Sequence, residues 1–175
     1  MHIVVTADEN WGIGYRGNRL VSIPADLKTL QKMITGKTIV LGSGALQNMP
    51  VVLLDRVKKI YILSHDKSAE NLAASLGAGS GISRRISVFR NLEALLSSLS
   101  EHRSEDIYVL GGEQTYAQLL PYADTVHVTK IEHAYTADAW FPNLDKQEEW
   151  QIVADSDEQT CFDLEYYFYM YQRVR

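Results

Sequence analysis

The sequence predicts a single α/β domain built on a mainly parallel sheet, and three observations predict it. Apolar runs of strand length alternate with segments of helical spacing as far as residue 131, two β-rich runs close the chain, and neither a repeat nor a linker interrupts it. At 175 residues and 46% hydrophobic content, the chain has the size of one compact unit, able to bury roughly 70% of the surface its unfolded form exposes. The expected domain spans residues 1–175.

Each element has its own signal. Ile3 to Ala7 forms the first strand, and Pro24 then opens a helix whose apolar positions are Leu27, Leu30 and Ile34. Strands follow at Thr38 to Leu41 and Lys59 to Leu63, then a helix carrying Leu72 and Leu76. The Gly/Ala/Ser-rich stretch Ser75 to Ser83 follows a helix and lacks the full dinucleotide fingerprint, so it reads as a flexible surface connection. Ile86 to Phe89 is a strand, Leu92, Leu95, Leu96 and Leu99 mark a helix, and Ile107 to Leu110 is the next strand. Tyr116, Leu119 and Leu120 mark the last helix, before a strand at Val126 to Ile131. Trp150 to Ala154 and Cys161 to Gln172, joined by the polar loop Asp155 to Gln159, predict a closing antiparallel hairpin at a sheet edge.

Composition removes several functions. Lys+Arg 17 against Asp+Glu 22 leaves a net charge of −5, and no basic stretch interleaves with aromatics, so nucleic acid is not an expected partner. No run of about eighteen apolar residues occurs, and Met1 to Ala7 is too short and too poor in basic residues for a signal peptide, which points away from membranes and to the cytoplasm. Cys161 is the only cysteine, so no intrachain disulfide forms; its strand-like setting predicts a buried, inert thiol. His2, His65, His102, His127 and His133 are scattered without standard metal-ligand spacing, and no metal is expected.

Two constellations bear on chemistry. In Ser22-Ile23-Pro24-Ala25-Asp26-Leu27, Pro24 places Asp26 in a first helical turn. Such an Asp is ordinarily a helix-stabilising charge, but Val21, Ile23, Leu27 and Leu30 give it apolar neighbours, and a carboxylate held in an apolar cleft has its neutral form favoured, as a general acid requires. In Tyr108 to Tyr116, a strand ends in Gly111-Gly112 and a helix begins at once. Free amides are thereby presented where no Cβ blocks a phosphate or a flat ring, at the strand end where open α/β sheets place ligands.

Taken in order, Trp11-Gly12-Ile13-Gly14, Ile23-Pro24-Ala25-Asp26-Leu27, Gly36 to Gly42, Leu110-Gly111-Gly112 through Tyr116, and Asp138-Ala139-Trp140-Phe141-Pro142 resemble the dihydrofolate reductase family from Met1 to the terminal hairpin. The resemblance implies a central, mainly parallel eight-stranded sheet with flanking helices and an antiparallel C-terminal hairpin. It also implies hydride transfer from NADPH to 7,8-dihydrofolate. Asp26 matches the pocket carboxylate that assists protonation, and Thr129 the hydroxyl that supports it. Substrate contacts would come from Thr6, Val21, Leu27, Leu30, Met49, Lys58 and Leu110. The cofactor would meet Ala7, Ile13, Gly14, Gly42, Ser43, Ser64, Gly111, Gly112, Gln114, Thr115 and Tyr116. The resemblance further implies a cis Gly111-Gly112 bond and a mobile loop from Gly12 to Leu20.

The departures sit on the ligand side. Gly42-Ser43-Gly44-Ala45 lacks the family's Arg for the cofactor 2′-phosphate, and losing such a contact forfeits about 1.5 to 3 kcal/mol of preference for NADPH, so NADH is also a candidate. Lys58, or Arg56 with a two-residue shift, stands for the Arg that anchors the folate glutamate, and Val21 replaces a Trp. Besides dihydrofolate reduction, these changes leave two readings open. One is a reductase of another pteridine or of a riboflavin-pathway pyrimidine; the other is a non-catalytic nucleotide- or pterin-binding module. In every case the expected partner is a small-molecule pterin or nucleotide, and the expected state a monomer or homodimer.

Overall fold

The computed structural model describes residues 1–76 and 81–174. The strands are β1 (His2–Ala7), β2 (Gly12–Tyr15), β3 (Asn18–Arg19), β4 (Thr38–Leu41), β5 (Lys59–Leu63), β6 (Ile86–Phe89), β7 (Ile107–Gly111), β8 (Thr125–Ile131), β9 (Ala139–Trp140), β10 (Trp150–Asp155), β11 (Gln159–Cys161) and β12 (Leu164–Arg173). The helices are α1 (Pro24–Ile34), α2 (Ser43–Gln47), α3 (Val51–Leu54), α4 (Ala69–Leu76), α5 (Leu92–Leu99) and α6 (Glu113–Leu119).

Eight strands follow the order β10-β12-β8-β1-β7-β4-β5-β6, parallel from β8 to β6, with β12 antiparallel to β8 and β10 antiparallel to β12. This is the mainly parallel sheet with an antiparallel C-terminal pair that the sequence predicts. Side-chain alternation splits its core in two. Ile3, Val5, Val40, Tyr61, Val109 and Val126 pack under α5 and α6, while Ile39, Leu41, Ile60, Ile62 and Leu110 pack under α1, α2 and α3. Covering both faces explains why β4 reads as an unbroken apolar run.

The C-terminal region differs in detail from expectation. The run expected from Cys161 to Gln172 is divided by a turn at 162–163: Cys161 ends the short β11, which begins at Gln159 within the expected loop and pairs back on β12. Its thiol is half-buried against the small cluster of Ile23, Ile131 and Tyr166 rather than fully enclosed. Of the stretch Ser75 to Ser83, residues 77–80 lie outside the described residues, while Ile82–Arg85 forms a 3-10 turn with Ile82 buried. Among the described residues no helix is long and apolar enough to cross a membrane.

Parallel pairing brings the carboxyl ends of β1, β7 and β4 together at Ala7, Gly111 and Leu41. There the Gly42 amide donates to the Gly111 carbonyl at 2.7 Å. A three-stranded antiparallel sheet, β3-β2-β9, folds the Gly12 to Leu20 segment over that end.

Candidate active site

Asp26 lies in the first turn of α1, behind Pro24 at the helix start. Thr6 of β1 and Thr129 of β8 are register partners, so their side chains stand side by side on the face that α1 crosses. The Thr6 hydroxyl donates to Asp26 Oδ2 at 2.5 Å, and the Thr129 hydroxyl donates to Oδ1 at 2.7 Å. Each carboxylate oxygen thus accepts one short hydrogen bond from the sheet, which fixes the plane of the group.

A cleft of about 240 Å3 opens at the carboxyl ends of the strands. Thr6 and Ala7 form its floor, Gly111, Gly112 and Tyr116 one wall, and Ile13, Gly14 and Val21 the covering segment; Met49 and Leu110 close the side. The Gly111-Gly112 peptide is cis, and Gly111 has φ 125°. A Cβ on Gly111 would lie 3.2 Å from the Tyr116 hydroxyl oxygen. That hydroxyl is 2.6 Å from Val4 O and 2.9 Å from Leu110 O. Burial holds its phenol well above the ordinary tyrosine range, so it remains a neutral donor that pins the ring against Gly111.

The expected residues fall into groups. Thr6, Ala7, Ile13, Gly14, Val21, Met49, Leu110, Gly111, Gly112 and Tyr116 all line the cleft. Asp26, Leu30 and Thr129 line a second cavity behind it, and the carboxylate meets the cleft floor through Thr6. Leu27 packs beside the core that α1 covers. Gly42 and Thr115 are adjacent, since a Cβ on Gly42 would lie 3.1 Å from Thr115 Oγ1. The Ser43 and Ser64 hydroxyls are 3.3 Å apart, and Gln114 is exposed in α6.

Two expectations need correction. The resemblance makes Asp26 the pocket carboxylate, but it does not line the cleft itself, where the ionisable side chains include Asp8, Arg19, Glu113 and Asp138. Lys58 is not brought to it either: it is exposed immediately before β5 and does not line the cleft. The Arg56 carbonyl accepts from the Gly36 amide at 2.8 Å, at the end of α1.

Several residues that shape the cleft escaped sequence reasoning. Asp8 is buried and accepts from the amides of Asn10, Gly12 and Tyr135 at 2.8 to 2.9 Å, fixing the root of the covering loop. Asp138 holds its tip, donating its amide to Gly14 O at 3.0 Å and accepting the Arg16 amide at 3.0 Å. Asn48 Nδ2 reaches from the opposite wall to Gly17 O at 2.8 Å. Asp138 stands in a segment that carries the family resemblance, but no role was read from it, and Asp8 in Ala7-Asp8-Glu9 belongs to no periodic pattern. Asp138→Ala removes the acceptor for Arg16 and is expected to raise amide exchange there about fivefold, the equivalent of one hydrogen bond of ~1 kcal/mol. Hydrogen exchange measured by NMR at Arg16 checks this; unchanged exchange would show that Asp138 does not hold the loop.

Comparison with known proteins gives one consistent result. The family model described as "Dihydrofolate reductase" matches residues 1–173. A dihydrofolate reductase of Staphylococcus haemolyticus is 30% identical, with 99% of this chain and 95% of the relative covered. One from Bacillus subtilis (strain 168) is 26% identical over 95% and 91% of the two chains. One from Heliothis virescens is 25% identical over 99% and 97%.

Proposed function

Because this chain belongs to the dihydrofolate reductase family, we propose that it reduces 7,8-dihydrofolate to tetrahydrofolate at this cleft, with Asp26 assisting the protonation. The observation that carries the reading is the Thr6–Asp26–Thr129 arrangement set beside a cleft walled by glycine. A nicotinamide supplies the hydride when bound.

The residues present fit such a flat ring. Gly12, Gly14, Gly44, Gly111 and Gly112 all line the cleft, and a Cβ at Gly44 or Gly112 would meet nothing within 4 Å, leaving free space over the wall. Tyr116 keeps Gly111 in place from behind. The covering loop, held by Asp138 and Asn48, excludes water from the reacting faces. Thr6 and Thr129 keep the Asp26 carboxyl in one orientation, from which it passes one proton, directly or through one water, to the ring nitrogen beside the carbon that accepts hydride.

The cofactor is NADPH, with NADH accepted because Ser43 stands where the family carries Arg. Ser43 and Ser64 offer hydroxyls to a 2′-phosphate but no formal charge. A second reading, reduction of a pteridine without a glutamate tail, draws support from Lys58, which is exposed and does not line the cleft.

Nicotinamide oxidation by the purified protein tests these readings together. Turnover is expected with dihydrofolate, faster than with a simple dihydropterin, and with NADPH favoured over NADH by less than about tenfold. Ser43→Arg is expected to widen that preference by about tenfold or more. Turnover confined to the tail-less pterin would favour the second reading, and no turnover with either would reject both.

A further inference from the structure

Behind Asp26, on the side away from the cleft, a cavity of about 210 Å3 lies between α1 and the β8–β12–β10 edge of the sheet. Asp26 and Thr29 enter it from one face of α1, three residues apart, and His127 and Thr129 from one face of β8, two residues apart. Met170 and Ala154 complete the far wall. Four polar residues of α1 and β8, with Asp155 and Ser156 beyond them, therefore line a space that is otherwise largely apolar and large enough for several waters, each of which needs two to four polar partners.

The hydrogen-bond capacity of these groups is partly unspent. Thr129 donates to Asp26, and Thr29 donates to Ala25 O at 3.0 Å, so both hydroxyl oxygens keep lone pairs. His127 Nε2 lies 3.0 Å from His2 Nδ1, and among the described residues no protein group binds the remaining His127 Nδ1. Burial lowers His127 to about 4, so its imidazole is neutral near pH 7. The charged and titratable groups around the pair are His2 on β1 and Tyr108 on β7, stacked at 4.7 Å, with Asp155 of β10 and Asp26 of α1 at the cavity. The N-terminus, Lys37, Glu105 and Asp124 act on His2 from outside.

An acid that gives up one proton per turnover must regain it. On the cleft side the loop is held down by Asp138 and Asn48, and bound substrate and cofactor would fill what remains. We infer that the rear cavity is the route by which Asp26 exchanges protons with solvent while the loop is closed, with Thr29 and His127 as positioning residues for its water. The inference rests on the proposed role of Asp26. One proton passes from hydrated solvent through cavity water to an Asp26 oxygen in each turnover, replacing the one given to the pterin. No electrons move along this path.

The test uses variants that fill the cavity without touching the carboxylate. Thr29→Phe fills it from α1 and Ala154→Leu from β10, so the second stands if the first does not fold. His127→Phe keeps the ring stack and removes the nitrogens. In each, kcat with saturating dihydrofolate and NADPH is expected to fall about fivefold or more, short of the roughly 10²-fold expected for loss of the acid. KM is expected to stay within about twofold, and the solvent deuterium isotope effect to rise. Imidazole added to His127→Ala is expected to restore part of the rate and none in Asp26→Asn. Wild-type kcat and isotope effect in a folded Thr29→Phe or Ala154→Leu protein would overturn the route. Asp26→Asn run beside them separates the two ideas: if it retains wild-type turnover, the acid role fails; if it is impaired while the cavity variants are not, only the route fails.

Discussion

Asp26→Asn is expected to lower dihydrofolate turnover at neutral pH by about 10²-fold or more, the scale of a positioned general acid, while leaving the fold intact. The substitution isolates the proton. Asn has the shape of Asp, and the Thr6 and Thr129 hydroxyls, at 2.5 and 2.7 Å from the two carboxylate oxygens, can each donate or accept. The Thr facing the amide nitrogen has only to rotate its hydroxyl hydrogen. Orientation is kept and the titratable proton is lost, so the rate falls without an equal change in substrate KM. Steady-state kinetics beside a thermal melt checks this; turnover within tenfold of wild type would remove Asp26 from the chemistry.

Gly111→Ala is expected to cost both stability and activity, whereas Gly112→Ala is expected to cost mainly cofactor binding. Gly111 sits at φ 125°, where an L side chain is strained, and its Cβ would lie 3.2 Å from the Tyr116 hydroxyl oxygen. That oxygen cannot retreat without giving up Val4 O and Leu110 O. Backbone strain of about 1 to 3 kcal/mol and overpacking of about 1 to 3 kcal/mol then add, which lowers Tm by roughly 5 to 15 °C in a chain of this size. Gly112 has φ −87° and open space where a Cβ would go, so its methyl enters the cleft instead of the core. Melting curves and cofactor KM for the two variants separate these effects, and equal melting temperatures would show that the Gly111 backbone adapts.

The parallel sheet was legible because its cause is local: a strand buried on both faces must be apolar throughout, as in Thr38 to Leu41 and Lys59 to Leu63. Asp26 was legible as a first-turn acid because proline at a helix start is itself a local constraint. Its two hydroxyl partners follow from the pairing of Thr6 with Thr129, 123 residues apart in register across β1 and β8, which no local pattern encodes; only the family resemblance flagged those positions. The bonds from Asp138 and Asn48 to the covering loop escaped for the same reason, as did the His2–His127 pair. The division of Cys161 to Gln172 into β11 and β12 was missed because the segment reads as one β-rich run, whereas Phe162 and Asp163 form a turn, with Phe162 at φ 54°.

The most direct measurement is the pH dependence of the hydride-transfer step in a single turnover, followed in wild type and in Asp26→Asn with dihydrofolate and NADPH both bound. With Asp26 supplying the proton, the rate is expected to reach a plateau as pH is lowered. Without it, the pterin must take its proton from solvent, and the rate is expected to climb by about tenfold for each pH unit lowered, towards the wild-type value. Parallel profiles for the two proteins would contradict a proton-assisting role for this carboxyl group.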